Sequence, residues 1–208
     1  TGCVLAPASL DAVANVARTH GIYVVCDDVY NRLVYEPGYE RLAARVDKDL
    51  REQVVVVESF SKPWAMTGWR MGWVAAAHPV IDQIAKAHQF TVSSAVSFCM
   101  PAAVRALELD PSHQLDTYRA RRDRVLAQLA YMGLPVVEPA GAFYAFPRVE
   151  QTGLSSNEFC ERAIREAGVA LVPGTCFNAP GYVRLSYCIA DDDLDEGLRR
   201  LGSFVAGL

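Results

Sequence analysis

The sequence predicts an α/β fold: a mixed, mostly parallel three-stranded sheet with helices, followed by a small α+β domain. Short apolar runs rich in β-branched residues, at residues 22–26, 54–57 and 72–77, indicate the strands of that sheet. A stretch with helical periodicity, from residue 79 to about residue 132, separates them from a region where short strands and helices alternate. We therefore predict two domains, formed by residues 1–133 and residues 134–208.

The first predicted domain begins with a helix and contains all three strands of the sheet. Ser9 is the predicted N-cap of this helix, and Gly21 is the predicted stop. The runs at residues 22–26 and 54–57 are short and almost wholly apolar, which is typical of buried strands. Only about a dozen residues connect the second run to the third, too few for a helical crossover, so we expect those two strands to be antiparallel.

The second predicted domain follows a long helix that Gly133 ends as its C′ residue. Ser155 and Glu158 have the spacing of a capping box and predict the start of a helix. The final helix is predicted from about Asp191, with its apolar face formed by Leu194, Leu198, Leu201 and Val205. The strands of this domain are predicted at residues 143–146, 169–172 and 182–187.

Composition and charge exclude several classes of function. The net charge of −4 gives no basic surface for nucleic acid, and the apolar runs are too short to span a bilayer. The six cysteines and four histidines do not cluster, so we predict no metal site. The scattered cysteines are typical of a reducing compartment, and no signal peptide opens the sequence, so we expect a cytoplasmic protein.

Side chains able to bind an anion or act as a nucleophile follow the second strand. Ser59 and Lys62 come directly after it, Arg70 lies shortly downstream, and Asp27 ends the neighbouring strand. Ligand sites in α/β sheets form beyond the carboxyl ends of strands, and hydroxyl and guanidinium groups there suit a phosphate. A lysine beside such a site can act as a Schiff-base nucleophile. From spacing alone, a solvated loop with an ordinary lysine explains these residues equally well.

The amino-acid sequence of these segments resembles that of a known family. SFSKPWAMTGWRMGW at residues 59–73 resembles the lysine signature of the class I and II aminotransferases, which are fold type I pyridoxal-phosphate enzymes. VVCDDVY at residues 24–30 is similar to the family's strand with Asp-Glu-x-Tyr, with an aspartate at position 28 in place of the usual glutamate. Three further segments, PAGAFY, VPG and VRLS, follow in family order, so the resemblance covers the whole chain.

The resemblance implies a role for each candidate residue at the cofactor. Lys62 would carry pyridoxal 5'-phosphate as a Schiff base and shuttle a proton between the substrate Cα and the cofactor C4′. Asp27 would pair with the ring nitrogen and keep it protonated, and Tyr30 would hydrogen-bond the ring oxygen. Ser59 and Arg70 would bind the phosphate. Two alternatives stay open: Asp27 as a helix cap, and Tyr30 as a core residue.

Arg184 is the candidate residue for the substrate. The resemblance implies that it grips the α-carboxylate in a bidentate fork, a geometry that lysine cannot reproduce. On its predicted strand Arg184 alternates with Val183 and Leu185, so it faces away from them. The alternative is an exposed arginine at the rim of the sheet.

The resemblance implies an aminotransferase that moves an amino group between an L-amino acid and a 2-oxo acid, acting as a homodimer. The alternatives are another reaction of the same fold, such as β-elimination by a C–S lyase, and a non-catalytic sensor domain of a transcription regulator. Family members are about twice this length, and the segments present belong to their C-terminal part. We therefore expect these 208 residues alone to be inactive.

Overall fold

A computed structural model describes all residues, Thr1–Leu208. The chain divides into two compact units, which we call the sheet unit (residues 4–115) and the C-terminal unit (residues 1–3 and 116–208). The division falls within the sixth α-helix, α6 (Ser112–Tyr131). The domain boundary expected after residue 133 stays a prediction.

The sheet unit confirms the predicted first helix and three strands, and it adds two short helices between the first two strands that the sequence did not predict. Its strands are β1 (Val24–Asp27), β2 (Val54–Ser59) and β3 (Gly72–Ala75). Its helices are α1 (Pro7–His20), α2 (Leu42–Arg45), α3 (Lys48–Arg51), α4 (His78–Thr91) and α5 (Met100–Leu107). The sheet order is β1-β2-β3, in which β1 and β2 are parallel and β2 and β3 are antiparallel, as the short connection predicts.

The start of α1 corrects the predicted cap. The helix begins at Pro7, with Ala6 before it, so Ser9 lies inside the first turn and does not cap it. Proline suits the first helical position because its fixed φ is already helical and its missing N–H would have no partner there. Gly21 ends the helix as predicted, in a left-handed conformation with φ of 61°.

One face of the sheet packs on α1, α2 and α3. Leu10 and Ala17 of α1 and Leu50 of α3 form a core with Val54 and Val56 of β2. Such an apolar core is the main favourable term for this part of the fold. Strand β1 is not buried on both faces as predicted, because Val25 is 66% exposed. As an edge strand, β1 has a covered face towards the helices and an open face on the other side.

The C-terminal unit has a second small sheet. Its order is β4-β6-β5, with both pairs antiparallel. The strands are β4 (Tyr144–Ala145), β5 (Val172–Pro173) and β6 (Val183–Ser186), and the helices after α6 are α7 (Ser156–Arg162) and α8 (Asp191–Ala206). The capping box of Ser155 and Glu158 is confirmed, as is Gly133 in a left-handed conformation with φ of 70°.

Two predictions for this unit were wrong in detail. The strand expected at residues 169–172 is only two residues long, because a π-helix at Ala163–Ala167 and a left-handed Gly168 occupy the preceding chain. In α8, Phe204 is buried with the three leucines in place of Val205. Its ring packs edge-on against Phe159, with ring centroids 5.3 Å apart.

None of the helices combines the length and the apolar character needed to cross a bilayer.

Candidate active site

The carboxyl ends of β1 and β2 lie side by side because the strands are parallel. Asp27 ends β1 and pairs in register with Val57, and Ser59 ends β2 two residues further on. The Asp27 side chain is exposed, and it belongs to the same open face as Val25 because side chains alternate along a strand. Two of the predicted residues are therefore presented at one end of the sheet.

Lys62 and Tyr30 are brought together by the turns that follow these strand ends. The Lys62 Nζ lies 5.8 Å from the centroid of the Tyr30 ring, within the range of a cation–π contact, and both residues are half-buried. The turn carrying Tyr30 is closed by main-chain hydrogen bonds, including one of 2.8 Å from the Leu33 N–H to the Tyr30 carbonyl. The Tyr30 side chain is therefore carried by a closed turn.

Hydrogen bonds close the loop between β2 and β3. The Ser59 hydroxyl accepts a hydrogen bond from the Ser61 N–H at 3.0 Å and donates to the Met71 carbonyl at 3.4 Å. The Thr67 hydroxyl donates to the Ser61 carbonyl at 3.2 Å. These contacts fix the main chain on both sides of Lys62, so the lysine is held close to the end of β2.

Arg70 has an unusual backbone conformation. It lies in the left-handed region with φ of 53°, directly after a 3-10 helix at Thr67–Trp69, and Ala65 is also left-handed with φ of 52°. Such conformations in residues other than glycine persist only where the surrounding structure fixes them, and they concentrate at functional sites. The exposed guanidinium donates to the Thr67 carbonyl at 2.6 Å, which leaves most of its N–H groups for a ligand.

A small apolar core packs against the loop between β2 and β3. Phe60 and Met66 are buried with Ala103 and Ala106 of α5, and Trp64 packs against them. The rings of Phe60 and Trp64 are 5.4 Å apart, and the Trp64 indole N–H donates to the Leu109 carbonyl at 3.4 Å. The residues on either side of Lys62 therefore anchor the loop in the sheet unit.

A partly buried ion pair lies on the covered face of the same strand ends. Glu58 of β2 is only 6% exposed and pairs with Arg41, which precedes α2. Asp28 continues the ladder of β1, since its N–H donates to the Val57 carbonyl at 2.9 Å. Burial raises the pKa of the Asp28 carboxyl; Arg41 opposes this shift, while Glu58 and Asp27 reinforce it. Asp27 and Asp28 thus serve opposite faces of the sheet.

Arg184 belongs to the C-terminal unit, at the centre of the small sheet. It lies on β6 between the buried Val183 and Leu185 and is itself half-buried, as the alternation predicts. Its guanidinium carbon is 4.4 Å from the centroid of the Tyr144 ring and 4.5 Å from that of Phe177. An arginine between aromatic rings keeps its charge, and the N–H groups of its guanidinium point outwards in the plane of that group.

The structure therefore groups five of the six candidates in the sheet unit. Their chemistry suits pyridoxal phosphate: an amine to attach it, a carboxylate for its ring nitrogen, a phenol for its ring oxygen, and a hydroxyl and a guanidinium for its phosphate. These five candidates are Asp27, Tyr30, Ser59, Lys62 and Arg70.

Sequence reasoning missed two features next to these candidates. The partner of Glu58 is Arg41, 17 positions away, and no periodic pattern connects them. The rings around Arg184 come from two separate segments, and Phe177 carried no signal beyond its place shortly after the VPG motif. The alternation of side chains along a strand places Glu58 and Arg184 where they are partly or fully buried. A buried charge needs a partner, and this was the signal that could have led to Arg41 and to the two rings.

Comparison with known proteins gives a consistent set of relatives. The sequence matches the family model for aminotransferase class I and II over residues 1–201. It is 39% identical to the aromatic-amino-acid aminotransferase 2 of Thermococcus litoralis, across 97% of this chain and 53% of that protein. It is 38% identical to a probable N-acetyl-LL-diaminopimelate aminotransferase of Bacillus subtilis, across 99% of this chain and 52% of that protein. The chain thus spans about half the length of the curated relatives it matches.

Solved structures show the same arrangement. The aromatic aminotransferase of Pyrococcus horikoshii superposes on all of this chain with a TM-score of 0.93 at 37% identity, and 57% of that protein is covered. The aspartate aminotransferase of Thermotoga maritima gives a TM-score of 0.92 at 34% identity, across 99% of this chain and 54% of that protein.

Proposed function

The chain belongs to the aminotransferase class I and II family, and from this premise we propose that the protein containing it transfers an amino group between an L-amino acid and a 2-oxo acid. The observation that carries the proposal is the position of Lys62. Lys62 lies three residues after the end of β2, with its Nζ 5.8 Å from the centroid of the Tyr30 ring, while Asp27 ends the neighbouring parallel strand.

Pyridoxal 5'-phosphate, the proposed cofactor, supplies an electron sink that stabilises negative charge at the substrate Cα. Lys62 would attach it and, when displaced by the substrate amine, would take the proton from Cα and return it at C4′. Lys62 suits this role because it is half-buried and carried by a loop whose main chain is fixed by hydrogen bonds at Ser61.

The residues around Lys62 would orient the cofactor. The exposed Asp27 carboxylate would accept a hydrogen bond from the protonated ring nitrogen and keep the proton there. Tyr30 would donate its phenol hydrogen to the ring oxygen. Ser59 and Arg70 would bind the phosphate, a hydroxyl and a fork of N–H donors being well matched to its oxygens.

Arg184 would bind the α-carboxylate of the amino acid and of the 2-oxo acid in turn. Both substrates carry this group, so one arginine serves both halves of the reaction. The names of the relatives differ in the amino donor: aromatic amino acids, aspartate and N-acetyl-LL-diaminopimelate. The proposal therefore stops at the substrate class.

We propose that the complete enzyme contains further residues beyond these 208 and works as a cytoplasmic homodimer. The length of the relatives supports the first point. Large apolar side chains on the sheet unit support an interface with a second copy, since Phe90 is 93% exposed and Phe98 is 79% exposed. We expect the 208 residues alone to lack activity.

The test is covalent labelling of the complete protein. Borohydride reduction in the presence of pyridoxal phosphate fixes the cofactor on the amine that carries it, and peptide mapping then finds the labelled residue. We expect the label on the Lys62 peptide, its loss in Lys62→Arg, and its retention in the control Lys86→Arg, whose lysine is exposed on α4. A label that survives Lys62→Arg would contradict the proposal, and an amino-transfer assay on the same samples tests the reaction itself.

A further inference from the structure

We propose that Tyr144 and Phe177 are positioning residues that hold the Arg184 guanidinium between their rings, so that only its N–H edge is open to a ligand. This arrangement would make the site selective for a planar carboxylate that approaches in the plane of the guanidinium. The inference deepens the proposed function and rests on it, because the carboxylate is that of the proposed substrate.

The two rings approach Arg184 from opposite sides of its strand. Tyr144 is on β4, which pairs with β6 on one side, and Phe177 follows β5, which pairs with β6 on the other. The distances from the guanidinium carbon to the ring centroids are nearly equal, 4.4 Å and 4.5 Å. Both are well inside the limit of about 6 Å for a cation–π contact, so each ring attracts the guanidinium.

The ring of Phe177 is itself held in place. It ends a 3-10 helix at Gly174–Phe177, and a Cβ on Gly174 would lie 2.1 Å from the Ala179 carbonyl oxygen, so this turn is tightly packed. The ring also meets Phe146 edge-on, with centroids 5.9 Å apart. Phe177 therefore has a defined position although it is 40% exposed.

The guanidinium N–H groups of Arg184 make no hydrogen bond or ion pair with any residue of the described chain, 1–208. Arginine side chains lose considerable rotamer freedom when they bind a ligand. The two rings restrict that freedom before the ligand arrives, which favours binding. The two ring centroids lie 4.4 Å and 4.5 Å from the guanidinium carbon, and the fork of N–H donors matches the two oxygens of a carboxylate.

The experiment measures carboxylate affinity by calorimetry, so it does not depend on turnover. The complete protein loaded with pyridoxal phosphate is titrated with 3-phenylpropanoate, an unreactive monocarboxylate, and with 2-phenylethanol, which lacks the carboxylate. Phe177→Leu removes the ring, Phe177→Tyr keeps it, and Tyr131→Ala removes a ring that is 88% exposed on α6 as a control.

We expect Phe177→Leu to weaken 3-phenylpropanoate binding by about three- to thirtyfold, the range for loss of a cation–π contact and of pre-ordering. Binding of 2-phenylethanol should not change, and Phe177→Tyr and Tyr131→Ala should bind like the unaltered protein. Equal affinity for 3-phenylpropanoate in Phe177→Leu, or an equal loss for both probes, would overturn the inference.

Arg184→Lys separates this inference from the proposed function. If Arg184→Lys weakens carboxylate binding while Phe177→Leu does not, the positioning role is wrong and the carboxylate role of Arg184 stands. If Arg184→Lys leaves the affinity unchanged, both are wrong.

Discussion

Gly72 is the position where the smallest substitution should disturb the candidate site. It pairs with Ser59 across β2 and β3, and a Cβ at this position would lie 2.5 Å from the Glu58 carbonyl oxygen. That oxygen belongs to the main chain of β2 and cannot rotate away as a side chain could. Gly72→Ala must therefore push β3 away from the end of β2, next to Ser59 and the start of the lysine loop.

The cost of Gly72→Ala follows from the distance. Ordinary contact begins at 3.4 Å, so the strands must separate by about 1 Å at this pair. Inserting a methyl group into a well-packed position costs about 1–3 kcal/mol. Alanine offsets part of this by about 0.4–1 kcal/mol, because it restricts the unfolded chain more than glycine does. We expect a net loss of about 1–2 kcal/mol in the free energy of unfolding.

Gly68→Ala is the matched control four residues away. A Cβ there meets nothing within 4 Å, and Gly68 does not have a positive φ, so the substitution should be neutral or slightly stabilising. Urea denaturation of the complete protein compares the two variants. Hydrogen exchange at the Phe60 amide, which donates to the Met71 carbonyl at 3.2 Å, reports whether the loop itself has loosened. Equal denaturation midpoints and equal exchange at Phe60 in both variants would refute this reasoning.

Two further predictions concern the adjacent aspartates. Asp27→Asn should lower kcat by about ten- to hundredfold, the loss of one hydrogen bond to a charged group, while cofactor content measured by absorbance stays near normal. Unchanged kcat would contradict the proposed role of Asp27; a helix-cap role is excluded because no helix begins after β1 until Leu42. Asp28 has a raised pKa in the folded protein, so the folded state binds its proton more tightly than the unfolded state does. The contribution of Asp28 to stability therefore falls as pH rises from the acidic range through that pKa. Asp28→Asn should therefore gain stability relative to the unaltered protein as pH rises, and denaturation at several pH values that shows a constant difference would contradict this.

The sequence predicted most of the elements that position the site, because each has a local signal. The β-branched runs located β1 and β2, and the length of the loop carrying Lys62 required β3 to be antiparallel. The capping box of Ser155 and Glu158 located α7 because both halves of that motif lie within one turn. These signals depend on neighbours in sequence, so they survive without knowledge of the tertiary fold.

Other features could not be predicted, since they depend on residues that are distant in sequence. The pairing of Arg41 with Glu58 joins a loop to a strand, and the approach of Tyr144 and Phe177 to Arg184 joins three separate segments. The exposed face of β1 depends on its place at the edge of the sheet, which a run of apolar residues does not reveal. The left-handed conformation of Arg70 has no signal either, because glycine and asparagine are the residues that usually indicate it.

Asp27 and Asp28 face opposite sides of the sheet, so the site should be sensitive to the insertion or deletion of a single residue in β1. Deleting one residue within β1 would exchange the faces of the two carboxylates: the one at the open face would turn towards Arg41, and its neighbour would turn outwards. The β1–β2 connection around residues 36–40 lies at the surface and should accept an added residue far more readily. An insertion scan across residues 22–40 would therefore show an abrupt change from intolerance to tolerance once it passes the turn that carries Tyr30.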